Sequence, residues 1–513
     1  MPIDVNFMVG GEAGQGVQSV GFILAKAFTR GGYHVFVDQD YESRVRGGHN
    51  FYRVPLDSLA REKAGDKLMA NTVALGAALG LVEYDLEILG QVLREHFGAG
   101  EIGESNVKAA TAGYEYAQQS FKGDFEHRLR PISDTRRMLL TANEAIALGA
   151  IAAGCKFMAA YPMTPTSSIM EYLAAKARDL DLVMVHAEDE IAAVNMVIGA
   201  SYAGVRAMTA TSGSGFCLMV EGLGLAGITE TPIVIINGQR PGPATGLPTR
   251  TEQSDLEFVL HASHGEFPRA ILAPATIEDA FWLTIKAFNL AEKYQLPVIL
   301  LTDQHLASSY ATVEKFDLTR VNIDRGLLFS TESTGEEYKR HQITPSGISP
   351  RAFPGREGIL VATDADEHNE AGHLIEDAET RTEMVQKRLR KLFSLKQEMA
   401  APQLYGAKKA KTTLIGWGST YGALREAVDI LRQEKASVNL LHLNELWPFP
   451  AEVVADVLTG SHNSYVIENN ATAQLARLIR AETGKKVSGS ILKYDGRPFT
   501  PAYIAQEVRK EGC

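Results

Sequence analysis

The stretch Lys156-Phe-Met-Ala-Ala-Tyr161-Pro-Met-Thr-Pro165-Thr-Ser-Ser168 decides how this chain is built. Its first half is a short apolar run; its second half is stiffened by prolines and rich in hydroxyls. That order predicts a buried strand ending in a rigid turn ahead of a helix. The same unit repeats downstream. Helical patterns over 168–178, 191–203, 216–227 and 277–294 alternate with apolar strand patterns over 182–186, 206–211, 232–237, 269–272 and 297–301, and a helix over 142–154 precedes the first strand. Strands and helices alternating in this way build a parallel, doubly wound sheet.

In such sheets ligands collect beyond the carboxyl ends of the strands. The residues placed there are Thr164 and Ser167, Glu188-Asp189-Glu190, Ser212-Gly213-Ser214-Gly215 and Gly238-Gln-Arg240-Pro-Gly-Pro243. Most have two readings. Thr164 and Ser167 are either helix caps or ligand hydroxyls. Asp189 and Glu190 either complement a helix dipole or supply a working carboxylate. Arg240, on backbone stiffened by Pro241 and Pro243, suits bidentate carboxylate binding as well as a solvated face. A metal reading of His186 to Glu190 lacks a second ligand pair at a known spacing.

Working outward to the N-terminus, an apolar strand over 5–9, the turn Gly10-Gly-Glu-Ala-Gly14-Gln-Gly16, a helix over 17–30 and a strand over 34–37 predict a βαβ opening. The glycine-rich turn is either a tight connector or an anion cradle, and Arg44 and Arg46 are either a solvated loop or an anion clamp. The pattern weakens between 98 and 136 and reads as a linker, with the linker proper at 121–137. Toward the C-terminus, 313–410 is polar and bridging. It holds a long charged helix over 374–399 whose Met384, Leu389, Leu392 and Phe393 share one face. Residues 411–513 resume the alternation and form a third α/β domain.

With 513 residues, 45% hydrophobic and 22% charged, the chain can bury three or four cores and is not disordered. A formal net charge of −11 gives no attraction to phosphate backbones or anionic membranes, so neither nucleic acid nor membrane is expected as a partner. Cys155, Cys217 and Cys513 are too scattered for a disulfide framework and too few for a [4Fe–4S] cluster, which takes four thiolates. No apolar stretch reaches the roughly 18–20 residues of a membrane span, and a cytoplasmic protein is expected.

Several ordered motifs carry a resemblance. Tyr161-Pro-Met-Thr-Pro165, Glu190-Ile-Ala-Ala-Val-Asn-Met-Val-Ile-Gly-Ala200, Ala210-Thr-Ser-Gly-Ser-Gly215 and Gly238-Gln-Arg-Pro-Gly-Pro-Ala-Thr-Gly-Leu-Pro248 resemble the alpha subunit of 2-oxoacid:ferredoxin oxidoreductases. Gly10 to Gly16 with Glu42-Ser-Arg-Val-Arg-Gly-Gly48 resembles that family's gamma module, fused here at the N-terminus. Val466-Ile-Glu-Asn-Asn-Ala-Thr-Ala-Gln-Leu475 resembles part of its transketolase-C-like domain.

The resemblance implies an α/β chain of three Rossmann-like domains. These are a gamma domain at 1–120, a thiamine diphosphate pyrimidine-binding fold at 138–312 and, beyond the 313–410 bridge, a transketolase-C-like domain at 411–513. It also implies oxidative decarboxylation of a 2-oxoacid with coenzyme A, giving acyl-CoA, carbon dioxide and electrons for ferredoxin. By the same match Glu190 would hydrogen-bond the aminopyrimidine ring of thiamine diphosphate. Arg240 would bind the substrate's C1 carboxylate and Thr164 would hydrogen-bond near the reacting carbonyl. Tyr161, Pro162, Ser212, Gly213, Ser214 and Gly215 would line the cofactor, and Gly14, Gly16, Arg44 and Arg46 would contact coenzyme A.

The family's diphosphate-binding half carries a Gly-Asp-Gly, and this sequence has none. Magnesium, the diphosphate site and the [4Fe–4S] cluster are therefore expected on a separate beta subunit, in an (alpha–beta)2 assembly, with no metal site on this chain. The fused arrangement most resembles 2-oxoglutarate enzymes, with Arg250 and Thr249 as candidates for the distal carboxylate. Enzymes of pyruvate or branched-chain 2-oxoacids, and a non-catalytic nucleotide- or CoA-binding assembly subunit, are the alternatives.

Overall fold

The computed structural model describes residues 5–8, 17–38, 52–125, 127–133, 136–330 and 338–512. Gly14, Gly16, Arg44 and Arg46 lie outside these residues. The chain divides into two compact units, Met1–Thr141 with Ser309–Phe316, and Ala142–Ser308 with Asp317–Cys513.

The first unit is built on helices α1 (Val17–Arg30), α2 (Leu56–Ala64), α3 (Ala70–Leu81), α4 (Leu86–Phe97) and α5 (Glu101–Ser120). Its small sheet has the order β1 (Phe36–Val37), β9 (Tyr310–Val313), β2 (Met138–Thr141), antiparallel throughout. The expected βαβ opening is not formed by the described residues. Residues 5–8 lie in no strand, and β1 pairs antiparallel with β9, Phe36 opposite Ala311. Phe7 packs against a helix instead, stacking on Phe28 of α1 with ring centroids 5.4 Å apart.

Helix α5 fills about the first half of the weak 98–136 stretch, ahead of the expected linker at 121–137. Its packing face is small: a Cβ at Gly76 of α3 would collide with the Ala110 carbonyl, and one at Gly113 with the Val73 carbonyl. Glycine and alanine bring two helix backbones together without leaving a strong apolar stripe, so the period of the helix is faint in the sequence.

The second unit holds helices α6 (Ala142–Ala152), α7 (Ser167–Lys176), α8 (Glu190–Tyr202), α9 (Gly213–Ile228), α10 (Leu256–His261), α11 (Ile277–Tyr294) and α12 (Gln304–Ser308) around a seven-stranded sheet. Strands β3 (Phe157–Ala160), β4 (Val183–His186), β5 (Ala207–Thr211), β6 (Ile233–Gln239), β7 (Ala270–Leu272) and β8 (Pro297–Asp303) run parallel in the order β7-β8-β6-β5-β3-β4. β5, β6 and β8 are buried along their whole length, which is why β6 opens Ile-Val-Ile-Ile and β8 carries Val-Ile-Leu-Leu with no polar alternation.

A five-stranded sheet follows: β10 (Gln403–Gly406), β12 (Val438–Leu443), β11 (Thr412–Trp417), β14 (Asn463–Glu468) and β15 (Gly489–Leu492), parallel except for β10. Helices α14 (Tyr421–Gln433), α15 (Ala451–Gly460), α16 (Gln474–Thr483) and α17 (Pro501–Lys510) accompany it. The two sheets are not independent. The short strand β13 (Glu445–Trp447) leaves the last segment to pair antiparallel with β7, and one core holds Ile271 and Leu301 together with Ile415, Trp417 and Leu441.

The bridging segment carries α13 (Ala378–Glu398). Its buried face is not the apolar one expected. Met384 is buried, but Phe393 is 75% exposed, and the positions turned inward beside Met384 and Leu395 are Lys387, Arg388 and Lys391. Lys387 and Lys391 both pair with Glu230, and Arg388 pairs with Glu367 at 2.7 Å. Cations paired with the buried Glu230 and the half-buried Glu367 took the inward positions at helical spacing.

Candidate active site

The carboxyl ends of β3, β4, β5 and β6 lie on one edge of the parallel sheet, and the residues singled out in the sequence stand on the loops and helix starts that leave it. At the start of α8 the two acids divide their duties. Asp189 is the N-cap, its Oδ1 accepting the Ala192 N–H at 2.7 Å. Glu190 turns inward, is 4% exposed, and has no hydrogen-bond partner for Oε1 among the described residues. A buried carboxylate oxygen left unpaired costs free energy, so the position calls for a donor from outside the chain.

Helix α9 starts at Gly213 rather than at Phe216, so Gly213-Ser-Gly215 is its first turn rather than a preceding loop. A Cβ at Gly215 would collide with Glu190 Oε1 and Thr211 Oγ1, which fixes glycine there. Ser212, fully buried at the N-cap, faces Ser214 with its Oγ 3.2 Å away instead of capping the helix.

Arg240 is 9% exposed, and its Nη1 donates to the Thr164 carbonyl at 2.8 Å. Burial lowers its pKa and the nearby Asp255 charge opposes that. Thr164 is exposed and does not cap α7: Thr166 is at the N-cap, and its hydroxyl donates to the Met163 carbonyl at 3.0 Å. Tyr161 and Pro162 are exposed, Tyr161 lying edge-on to His186. Thr249 is exposed and Arg250 half-buried on the same loop as Arg240, Arg250 packing beside Gly496 of the last segment.

Three polar residues escaped the sequence reading. Asn237, fully buried near the end of β6, donates to Asp255 Oδ2 at 3.2 Å and leaves its own Oδ1 unpaired. Burial pushes the Asp255 carboxyl up to about 6, against the pull of Asn237 and Arg240, and burial together with the Asp255 charge pushes Glu252 up to about 7. The available signal was amide residues, Asn237 and Gln239, in an otherwise apolar strand. Asp255 lies in no motif.

Residues 148–387 match the family model described as pyruvate flavodoxin/ferredoxin oxidoreductase, thiamine diphosphate-binding. Residues 6–54 and 49–116 match pyruvate ferredoxin/flavodoxin oxidoreductase, and 410–504 match core domain II of pyruvate:ferredoxin oxidoreductase. Subunit alpha of 2-oxoacid:ferredoxin oxidoreductase 1 from Sulfurisphaera tokodaii is 39% identical over 495 residues, covering 90% of this chain and 77% of that one. The chain belongs to the 2-oxoacid:ferredoxin oxidoreductase family. The KorA subunit of 2-oxoglutarate synthase from Methanothermobacter marburgensis is 32% identical, covering 73% of this chain and 99% of its own. Among solved structures, the 2-oxoglutarate:ferredoxin oxidoreductase from Magnetococcus marinus, with 2-oxoglutarate, coenzyme A and succinyl-CoA bound, superposes with a TM-score of 0.90 at 31% identity, covering 98% of each chain.

As in this family of ferredoxin-linked oxidoreductases, the thiamine-binding region is an α/β fold, and its residues suit the cofactor. The unpaired Glu190 Oε1 offers an acceptor to a ring N–H, and Gly213 and Gly215 leave room where a Cβ would press on carboxylates. Among the described residues no three His, Cys, Asp or Glu side chains gather as a metal site, and no helix is long and apolar enough to cross a membrane.

Proposed function

We propose that this oxidoreductase subunit takes 2-oxoglutarate and coenzyme A to succinyl-CoA and carbon dioxide, with two electrons passed singly to ferredoxin and one proton released, or runs the reverse carboxylation. The observation that carries the reading is Glu190: a buried carboxylate with an unpaired oxygen over Gly215, inside the region matched to thiamine diphosphate binding.

Bound thiamine diphosphate supplies the carbanion chemistry of decarboxylation. In this reading Glu190 Oε1 holds a proton shared with the aminopyrimidine ring, which a carboxylate can do and an amide cannot. Arg240, steadied by the Thr164 carbonyl, pairs with the C1 carboxylate, and the Thr164 hydroxyl donates to the reacting carbonyl. Tyr161, Pro162, Ser212 and Ser214 line the cofactor with the two glycines. Arg250 and Thr249 take the distal carboxylate. Gly14, Gly16, Arg44 and Arg46 contact coenzyme A. A beta subunit brings magnesium, the diphosphate site and the [4Fe–4S] cluster, in an (alpha–beta)2 assembly.

The names of the M. marburgensis and M. marinus relatives support 2-oxoglutarate over pyruvate and branched-chain 2-oxoacids. The test is reconstitution with the beta subunit and 2-oxoacid-dependent viologen reduction across a substrate panel. We expect no activity from this chain alone, 2-oxoglutarate as the best substrate of the pair, and at least a ~100-fold fall in kcat for Glu190→Gln. Full activity in that variant would remove Glu190 from the mechanism; a best substrate other than 2-oxoglutarate would correct the specificity.

A further inference from the structure

The motif Glu468-Asn-Asn-Ala-Thr-Ala-Gln474 has no part in the chemistry above, yet its polar atoms are spent on a segment far away in sequence. That segment ends the loop carrying Arg240 and Arg250. Gln253, fully buried, is its centre. The Gln253 backbone N–H donates to the Asn469 carbonyl at 2.6 Å, and its carbonyl accepts from Asn470 Nδ2 at 3.0 Å. Its side-chain Nε2 donates to the Trp417 carbonyl at 2.9 Å, and Oε1 accepts the Asn469 N–H at 3.2 Å.

The receiving side is built just as fully. Glu468 accepts from Leu475 N–H at 2.8 Å and from Asn470 Nδ2 at 2.8 Å, which holds the start of α16 against β14. Asn469 Nδ2 donates to the carbonyls of Lys493 and Arg497, beside Gly496, whose own carbonyl accepts the Thr251 N–H at 3.3 Å. Gln474 Nε2 donates to the Ser254 carbonyl, and its Oε1 accepts the Glu257 N–H. At the other end of the loop, Gln239 Oε1 accepts the Asp255 N–H at 3.1 Å.

We propose that Gln253 is a positioning residue of the 2-oxoacid site: it locks the 240–255 loop into a socket formed by Trp417 and the 468–474 motif, so that Arg240 and Arg250 are presented to the substrate in fixed places. This rests on the reading of Arg240 as the carboxylate-binding residue. A loop held only by its ends would sample many arrangements, and the substrate would have to order it on binding; the socket meets that ordering cost in advance.

The experiment uses the reconstituted complex with Gln253→Met, which keeps the length of the side chain and loses both side-chain hydrogen bonds, beside Arg240→Lys. We expect the KM for the 2-oxoacid to rise roughly tenfold in Gln253→Met, with kcat and the KM for coenzyme A within about twofold. Should that variant not fold, Gln253→Glu serves: it keeps the acceptor for Asn469, loses the donor to Trp417 at neutral pH and regains one on protonation, so its KM defect should shrink as pH falls. An unchanged 2-oxoacid KM beside a raised one in Arg240→Lys overturns the positioning role alone. A loss spread evenly over kcat and every KM overturns it in favour of plain structural support. An unchanged KM in Arg240→Lys overturns the reading of Arg240 itself, and the proposal with it.

Discussion

Asp255 stands at the N-cap of α10 and leaves its own helix uncapped, turning instead to Asn237 and the first turn of α9. Its carboxyl is raised from 3.8 to about 6, so between those values the folded chain binds a proton that the unfolded chain has lost. Stability from this group is therefore present below about pH 4 and falls as pH rises to about 6. Replacing Asp255 by Asn keeps an oxygen for Asn237 and removes the charge. The expected outcome is a variant more stable than wild type at pH 7, by up to about 3 kcal/mol, with the gain closing toward pH 4; thermal melts across that range check it as a raised Tm. At this scale the sequence was legible for where Glu190 and Arg240 stand, just beyond strand ends. It was silent where a residue's place depends on a distant fold contact: nothing near Asp255 in sequence announces Asn237 or Gly213.

Among elements, α13 shows most plainly what periodicity can and cannot show. The helix was legible, but its inward face was misread because Lys387 and Lys391 look like solvent residues until Glu230 is placed beneath them. Burial alone would raise the Glu230 carboxyl, yet the two lysines and the His341 contact at 2.9 Å hold it well below the ordinary range. Burial likewise drags Lys391 down to about 7 against the pull of Glu230. Glu230→Gln strands two buried cations, and we expect a loss of about 3–5 kcal/mol, read as a fall in denaturant midpoint. An effect within about 0.5 kcal/mol would mean the lysines find water instead. Helix α5 was lost for the converse reason, since close packing through glycine and alanine leaves no strong stripe.

For the whole molecule, the alternating βα pattern was enough to read the parallel strands of the central sheet and the three middle strands of the last one, but not the edge strands β10 and β15. The sharing of one core between the two sheets was not legible, because β13 is a three-residue strand whose partner, β7, lies far upstream. That sharing has a measurable outcome. Calorimetry should show the central and last sheets melting in one transition, and two separable transitions within that unit would contradict a common core.

The strand order of the first unit also bears on how the protein is made. β9 lies between β1 and β2, yet in sequence nearly the whole central domain, α6 to α12, separates it from β2. During synthesis the N-terminal helices can collapse early, but their sheet cannot close until the ribosome has released the chain beyond Phe316. A gene fragment stopping at Thr141 would encode two edge strands without the one that joins them.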